Sequence, residues 1–249
     1  MRCGSAVIGN GFILPFPPAF VHLNFCQRLF FCGDSRPRRE ERGIFPALAV
    51  ALAPRACYDA AMQSIIHRHS TAPAMQELTR EWYGSAVAAP VRYSFRTDGT
   101  SLIFRAEQNA PVLLPPYAEP GVFTEKLWMY DLAEFFIASA DGSRYLEFNL
   151  CPNGAWWACA FSAPRVAMEN APAMQGITAQ GSVTPGGWSA EAALPLSLLA
   201  ELGLSVENCR LAATAVLNSP NYLYLTTAED LSGEPDFHRP HAWPAALLS

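Results

Sequence analysis

Trp128-Met-Tyr-Asp131-Leu-Ala-Glu134-Phe-Phe-Ile137, then Asp141-Gly142, Arg144-Tyr-Leu-Glu-Phe-Asn-Leu-Cys151, Pro152-Asn-Gly154 and Ala155-Trp-Trp-Ala-Cys-Ala-Phe161 follow one another in mid-chain. Three aromatic-rich extended runs are separated by Asp-Gly and Pro-Asn-Gly, which adopt the backbone conformations that tight reversals need. The stretch reads as a β-meander. Alternation assigns its faces, because successive side chains of a strand point to opposite sides. Leu146, Phe148 and Leu150 share a core face with Ala133, Phe135 and Ile137, while Glu134, Glu147 and Asn149 take the other. A four-residue turn over 152–155 sets Cys151 opposite Trp156 and Cys159 opposite Phe148. It sends Trp157, Cys159 and Phe161 into the core and Trp156 onto the face of the glutamates.

Outward from the meander, Val91-Arg-Tyr-Ser-Phe-Arg96 alternates in period two, Asp98-Gly99 marks a turn, and Leu102-Ile-Phe-Arg-Ala-Glu107 reads as a second strand. Residues 109–126 hold Pro111, Pro115, Pro116 and Pro120 and form a long loop leading to Trp128; loops of this length are commonly functional. Residues 176–194 hold two strands joined by Pro185-Gly-Gly187. Pro195 then opens a short helix through Leu202, because a first helical position needs no backbone N–H. Residues 210–217 and 222–226 make a further pair. The tail Pro235-Asp-Phe-His-Arg-Pro-His-Ala-Trp243 is too aromatic for a free end and is expected to pack. Strands at short intervals, with one brief helix near 195–202, predict an all-β antiparallel sandwich.

With 249 residues, 51% of them hydrophobic and 12% aromatic, the chain has ample material for a core. Its formal charge of -5 is unevenly placed: residues 1–74 carry eight Arg against four acidic residues, and residues 75–249 nine basic against eighteen acidic. A basic leader, 1–74, is thereby divided from an acidic body, 75–249. An acidic body without a basic stripe argues against nucleic acid, since phosphate neutralisation needs clustered Lys or Arg. The apolar stretch 6–31 is broken by Pro15, Pro17 and Pro18, so no membrane span is expected. The run 44–53 follows Arg36-Pro-Arg-Arg39 and has the outline of a signal peptide, but it starts about forty residues in and contains Pro46. The leader is expected to be disordered or to precede a true start at Met62 or Met75; an unusual export signal is the other reading. Seven cysteines form no CxxC pair. On the register above, Cys151 and Cys159 point to opposite faces, so no bridge joins them. Buried free thiols favour a reducing compartment, cytoplasmic rather than periplasmic or secreted. Oligomeric state is not legible.

Three motifs recur in a known group of domains. One is Trp128…Asp131-x-x-Glu134-Phe-Phe-Ile with Tyr145-Leu-Glu-Phe-Asn-Leu-x-Pro152-Asn-Gly; another is Gly187-Trp-Ser-Ala-Glu-Ala-Ala-Leu-Pro-Leu-Ser-Leu-Leu199; the last is Asp236-Phe-His-Arg-Pro240. Over 82–243 the chain resembles the DOMON-like superfamily and, within it, carbohydrate-binding family 9-like domains. The resemblance implies a jelly-roll or immunoglobulin-like sandwich holding a saccharide end between aromatic platforms, with carboxylate and amide groups on its hydroxyls. Trp128 stands where such members place a stacking tryptophan, and Glu134 where a glutamate contacts hydroxyls. A basic residue is expected on the following strand, which here offers Glu147 and Asn149. Tyr222, Tyr224, Phe237 and Trp243 compete for the second platform.

A pyranose has apolar C–H faces and a hydroxyl rim, which suits stacked rings and a few polar groups, each contact giving about 1 kcal/mol. The expected function is a non-catalytic carbohydrate-binding module whose ligand contacts are Trp128, Glu134, Glu147, Asn149, Trp156 and Arg165. Arg165 has a bland alternative, an ion pair with Glu147 or Glu169, and aromatic residues also occupy sheet faces purely for packing. A structural or protein-interaction sandwich is the rival function. Haem b is a second rival, with Met129, Met168 or Met174 and His238 or His241 as axial ligands. Glu134 and Glu147 on neighbouring strands imitate a glycosidase carboxylate pair, but no nucleophile triad or Gly-rich phosphate loop accompanies them. No resident cofactor is expected: Asp236, His238 and His241 have loose metal-ligand spacing and read as tail packing. Asp98 and Asp141 precede glycine and read as turn residues ahead of Ca²⁺ ligands.

Overall fold

Period-two alternation along thirteen strands becomes two facing sheets. The structure, a computed structural model, describes residues 63–69 and 71–249. The strands are β1 (Ser64–Arg68), β2 (Gln76–Arg80), β3 (Ala86–Thr97), β4 (Ser101–Gln108), β5 (Leu132–Ser139), β6 (Tyr145–Leu150) and β7 (Trp156–Ala163), followed by β8 (Val166–Ala167), β9 (Thr178–Thr184), β10 (Gly187–Pro195), β11 (Cys209–Leu217), β12 (Leu223–Thr226) and β13 (Ala246–Leu248). One sheet runs β13-β1-β3-β4-β10-β9, with β2 also on β3; the other runs β12-β11-β5-β6-β7-β8. Pairing is antiparallel except where β1 meets β13 and β3. The expected all-β sandwich is what forms. Ser64–Arg68 lies on the leader side of the 74/75 boundary and yet supplies β1; the leader before residue 63, with its proposed signal and Met62 start, lies outside the described residues.

Both sheets turn their apolar positions inward. Phe95 stacks on Phe104 at 5.0 Å, Phe104 meets Phe135 edge-on at 5.1 Å, Phe135 reaches Phe148 at 5.3 Å, and Phe148 stacks on Trp156 at 6.0 Å. Rings in such offset and edge contacts add about 0.5–1.5 kcal/mol per pair to the gain from burial. This aromatic column crosses from β3 and β4 into the meander and fixes which side of β5–β7 is the core. The expected helix is α1 (Leu196–Glu201), whose Leu198 and Leu199 are buried. Pro195 is its N-cap residue, and Leu196 N–H donates to Thr100 O at 2.8 Å.

The meander departs from expectation at one point. Leu150 pairs with Trp156, Asn149 with Trp157 and Glu147 with Cys159, so the connection is the five-residue loop 151–155. Cys151 N–H donates to Ala155 O, Asn153 Oδ1 accepts from Ala155 N–H, and Gly154 takes φ 92°, which L side chains resist. One added loop residue reverses the facing of all of β7. Trp156 therefore belongs to the core, and Trp157 and Cys159 to the face of the glutamates. The loop also packs against β9: a Cβ on Gly154 would lie 2.7 Å from backbone atoms of Gln180 and Gly181.

Candidate functional site

The corrected register lines up Thr226, Thr214, Glu134, Asn149 and Trp157 as one row across β12, β11, β5, β6 and β7. The next row holds Ala212, Phe136, Glu147 and Cys159. A polar strand face is expected to meet solvent, but here Glu134 is 3% exposed, Glu147 7% and Asn149 0%. The C-terminal segment packs on the second row, over Phe136 and Glu147. Phe237, His238 and Trp243 contact the Phe136 ring at 6.3, 5.5 and 5.1 Å. The segment is well anchored: Trp82 Nε1 donates to Gly233 O at 2.9 Å, Arg239 lies 5.2 Å over the Trp82 ring, and Trp243 Nε1 donates to Phe237 O at 3.1 Å.

Burial sets the protonation states beneath this cover. Loss of hydration, then repulsion by Glu147, pushes the Glu134 carboxyl well above the usual range, and the Thr214 hydroxyl opposes this. Burial lifts Glu147 to about 7 against the opposing pull of Asn149 and Arg165. Burial also lowers His238 to about 4, with Arg165 adding to the shift and Asp236 opposing it. The 3.5 Å contact of His238 Nε2 with Glu147 Oε2 is an ion pair only if the ring is protonated, and burial keeps it neutral at pH 7. A relay results. Arg165 N–H donates to the Tyr145 hydroxyl at 2.9 Å, and that hydroxyl meets His238 Nδ1 at 2.7 Å. If Tyr145 donates to Nδ1, the ring proton sits on Nε2 facing Glu147, a tautomer assigned from the hydrogen bonds. Asn149 Nδ2 donates to Glu147 Oε1 at 3.2 Å. Asn149 Oδ1 is left buried without a hydrogen-bond partner.

The rim is aromatic. Trp128, 44% exposed, stands edge-to-face on Trp157 at 5.4 Å, with Met129 exposed beside it. Met129 O accepts from Ser219 Oγ at 2.9 Å and Tyr222 OH at 3.2 Å. Tyr222 and Tyr224 lie 6.0 Å apart, and Tyr224 lies 6.0 Å from Phe237. Asp131 organises this rim from below, accepting from Leu113 N–H at 3.0 Å and Ser219 N–H at 2.9 Å. The first acid of the D-x-x-E element thus ties together the loops that present Trp128 and Tyr222.

No family model matches the chain. The UPF0462 protein C4orf33 homolog of Rattus norvegicus is 27% identical over 140 residues, 54% of this chain and 69% of that protein. Among solved structures, a Bacteroides uniformis protein described as a candidate carbohydrate-binding protein aligns with a TM-score of 0.59 at 14% identity, over 75% of this chain and 99% of its own. A carbohydrate binding module family 9 from Caldicellulosiruptor kristjanssonii, in complex with cellotriose, aligns with a TM-score of 0.50 at 13% identity, over 75% of this chain and 93% of its own. The chain shares its fold with family 9 modules. At such identities the likeness establishes the fold alone.

Within that fold, Glu134, Glu147 and Asn149 gather on one face with Trp128 at its edge. Trp156 does not join them: it is 7% exposed, stacks on Phe148 and donates from Nε1 to Gly121 O at 3.2 Å. Trp157 takes its place, and the signal for it was the unsettled length of the Pro-Asn-Gly loop. Arg165 pairs with neither Glu147 nor Glu169 but donates to Asp236 Oδ1 at 2.7 Å, fastening the C-terminal segment to β7. Of the four competitors for a second platform, Trp243 is fully buried and Phe237 packs on Phe136 and Trp82, leaving Tyr222 and Tyr224 at the rim.

The other expected chemistries map elsewhere. Both His238 ring nitrogens face protein partners, and Met168 and Met174 pack on the core. Asp98 and Asp141 accept hydrogen bonds from their own turns. Among the described residues, no group of three His, Cys, Asp or Glu is placed to hold a metal ion, and Cys151, Cys159 and Cys209 are unbridged. No helix among them is long and apolar enough to cross a membrane. A hollow of about 240 Å³ lies on the opposite sheet, lined by Arg96, Arg105, Glu107 and Glu191. Its guanidinium groups are already paired with carboxylates, so the row on β5–β7, with its partnerless Asn149 Oδ1, is the stronger site.

Proposed function

We propose that the chain is a DOMON-like, non-catalytic carbohydrate-binding module that seats a saccharide at the Trp157 end of the buried polar row. Sugar ring faces rest on Trp128 and Trp157, and hydroxyls reach Glu134, Asn149 and Glu147. Tyr222 and Tyr224 serve as the second platform. One observation carries the reading: an exposed tryptophan stands on the last residue of a row in which the buried Asn149 Oδ1 lacks a partner. Buried polar atoms without partners are costly, and a ligand's hydroxyl groups relieve that cost. A fold shared with a module that binds cellotriose supports the ligand class. Binding without catalysis is supported by the same likeness, since the neighbour is a binding module.

Calorimetric titration of the full chain with glucose, cellotriose and a panel of other saccharides tests this. Two aromatic contacts and three or four hydrogen bonds give affinities from about micromolar to millimolar after association costs. Trp128→Ala and Trp157→Ala are expected to abolish the heat signal while the protein stays folded. Absence of binding by every sugar at about 10 mM overturns the proposal.

A further inference from the structure

Glu134 and Glu147 are diagonal neighbours on adjacent strands, buried on one face. The bases around them are engaged elsewhere. Arg165 is turned to Asp236, Arg210 donates to Ala140 O and Trp243 O, Arg239 is held by Ser232 O and Asp230, and His238 is neutral. Asn149 Nδ2 donates to Glu147, and the atom left unpartnered is an acceptor, Oδ1. The two buried carboxyls have no positively charged partner: the donors around them are their own protons, the Asn149 amide and the His238 ring N–H that faces Glu147. A hydroxyl supplies one hydrogen; an ammonium group supplies three and a charge that compensates a buried carboxylate. Trp128, Trp157 and Tyr224 flank the row, and aromatic faces attract cations.

We propose that the ligand is an amino sugar, whose ammonium group enters the row beside Trp157 and donates to Glu134, Glu147 and Asn149 Oδ1. This rests on the saccharide reading and narrows it. Binding ionises Glu134, which burial otherwise keeps protonated, and completes the ionisation of Glu147, so protons pass to the buffer as the sugar binds. The titratable and charged groups facing Glu147 are Glu134, Tyr145 and Cys159 on its own sheet, Arg165 beyond β7, and Asp236 and His238 of the C-terminal segment. Glu134 also faces Tyr224 on β12.

The test is titration of glucosamine, glucose and N-acetylglucosamine into the full chain at pH 7, in two buffers of different ionisation heat. Glucosamine is expected to bind about tenfold or more tightly than either neutral sugar, the worth of one charge-assisted hydrogen-bonded contact. Its heat should differ between buffers, and that of glucose should not. In Glu134→Gln and Glu147→Gln, near-isosteric changes that keep the cluster uncharged, the preference should collapse and the buffer dependence shrink. Equal affinity for glucosamine and glucose refutes the amino-sugar assignment and leaves the saccharide reading standing. No binding by any sugar removes the saccharide reading, and this inference with it.

Discussion

Glu147→Gln should stabilise this protein in a pH-dependent way. Folding raises the Glu147 pKa from 4.5 to about 7. Between those values the folded chain holds a proton that the unfolded chain has released, so stability falls as pH rises through the window. The full penalty, present above the folded pKa, is about 3 kcal/mol from about 1.4 kcal/mol per pKa unit, an upper figure because water and side-chain relaxation reduce it. His238 acts in the opposite sense. Its pKa is lowered from 6.5 to about 4, so the unfolded state binds the extra proton and stability rises with pH across that interval. The two slopes partly cancel in the native protein, and only the difference between native and variant isolates the glutamate. Glutamine keeps the shape and an acceptor for Asn149 Nδ2 but cannot ionise. Urea unfolding of both proteins at pH 4 and pH 8 should give near-equal stabilities at the lower pH, and a variant more stable by up to about 3 kcal/mol at the higher. A stability difference between variant and native that is the same at both pH values would refute the argument, because the carboxyl would then titrate alike in the folded and unfolded chains.

Four other substitutions probe the architecture. Trp156→Ala removes a core ring stacked on Phe148 and should cost about 3–5 kcal/mol in urea unfolding; Trp157→Ala, at the half-buried rim, should cost clearly less while abolishing sugar binding. Gly154→Ala forces a Cβ against the Gln180 backbone at a positive φ, and should lower stability by at least about 2 kcal/mol in the same assay. Tyr145→Phe deletes the hydroxyl shared by Arg165 N–H and His238 Nδ1. Its cost should be about 1–3 kcal/mol, with faster hydrogen exchange of the Arg165 amide and of the 236–243 backbone.

Much of the site was readable because its parity is local. Glu134 lies between core residues Ala133 and Phe135, and Glu147 and Asn149 flank core Phe148, so strand alternation alone puts all three opposite the core. Trp156 and Trp157 were assigned the wrong way round for a different reason. Alternation establishes that two adjacent residues face oppositely but not which faces where; that depends on loop length. Turn signals locate a reversal without counting its residues, since Pro-Asn-Gly is compatible with loops of more than one length. The five-residue count is decided by the Cys151–Ala155 hydrogen bond, by Gly154 lying flush on β9, and by Trp156 completing the aromatic column.

Burial was the other property that strand patterning did not reveal. A glutamate on a polar face looks solvated until something covers it, and the covering residues lie far along the chain: His238 meets Tyr145 across 93 positions. The aromatic tail announced that it would pack, but not against what. By itself the sequence determined a meander inside an all-β sandwich and the internal phase of each strand, because both follow from period-two chemistry within a few residues. The tertiary structure alone decided which tryptophan meets the glutamates, and that the polar row is buried and partly unpartnered. Those features depend on loop closure and long-range packing, where the energetic choice is made between segments that do not adjoin.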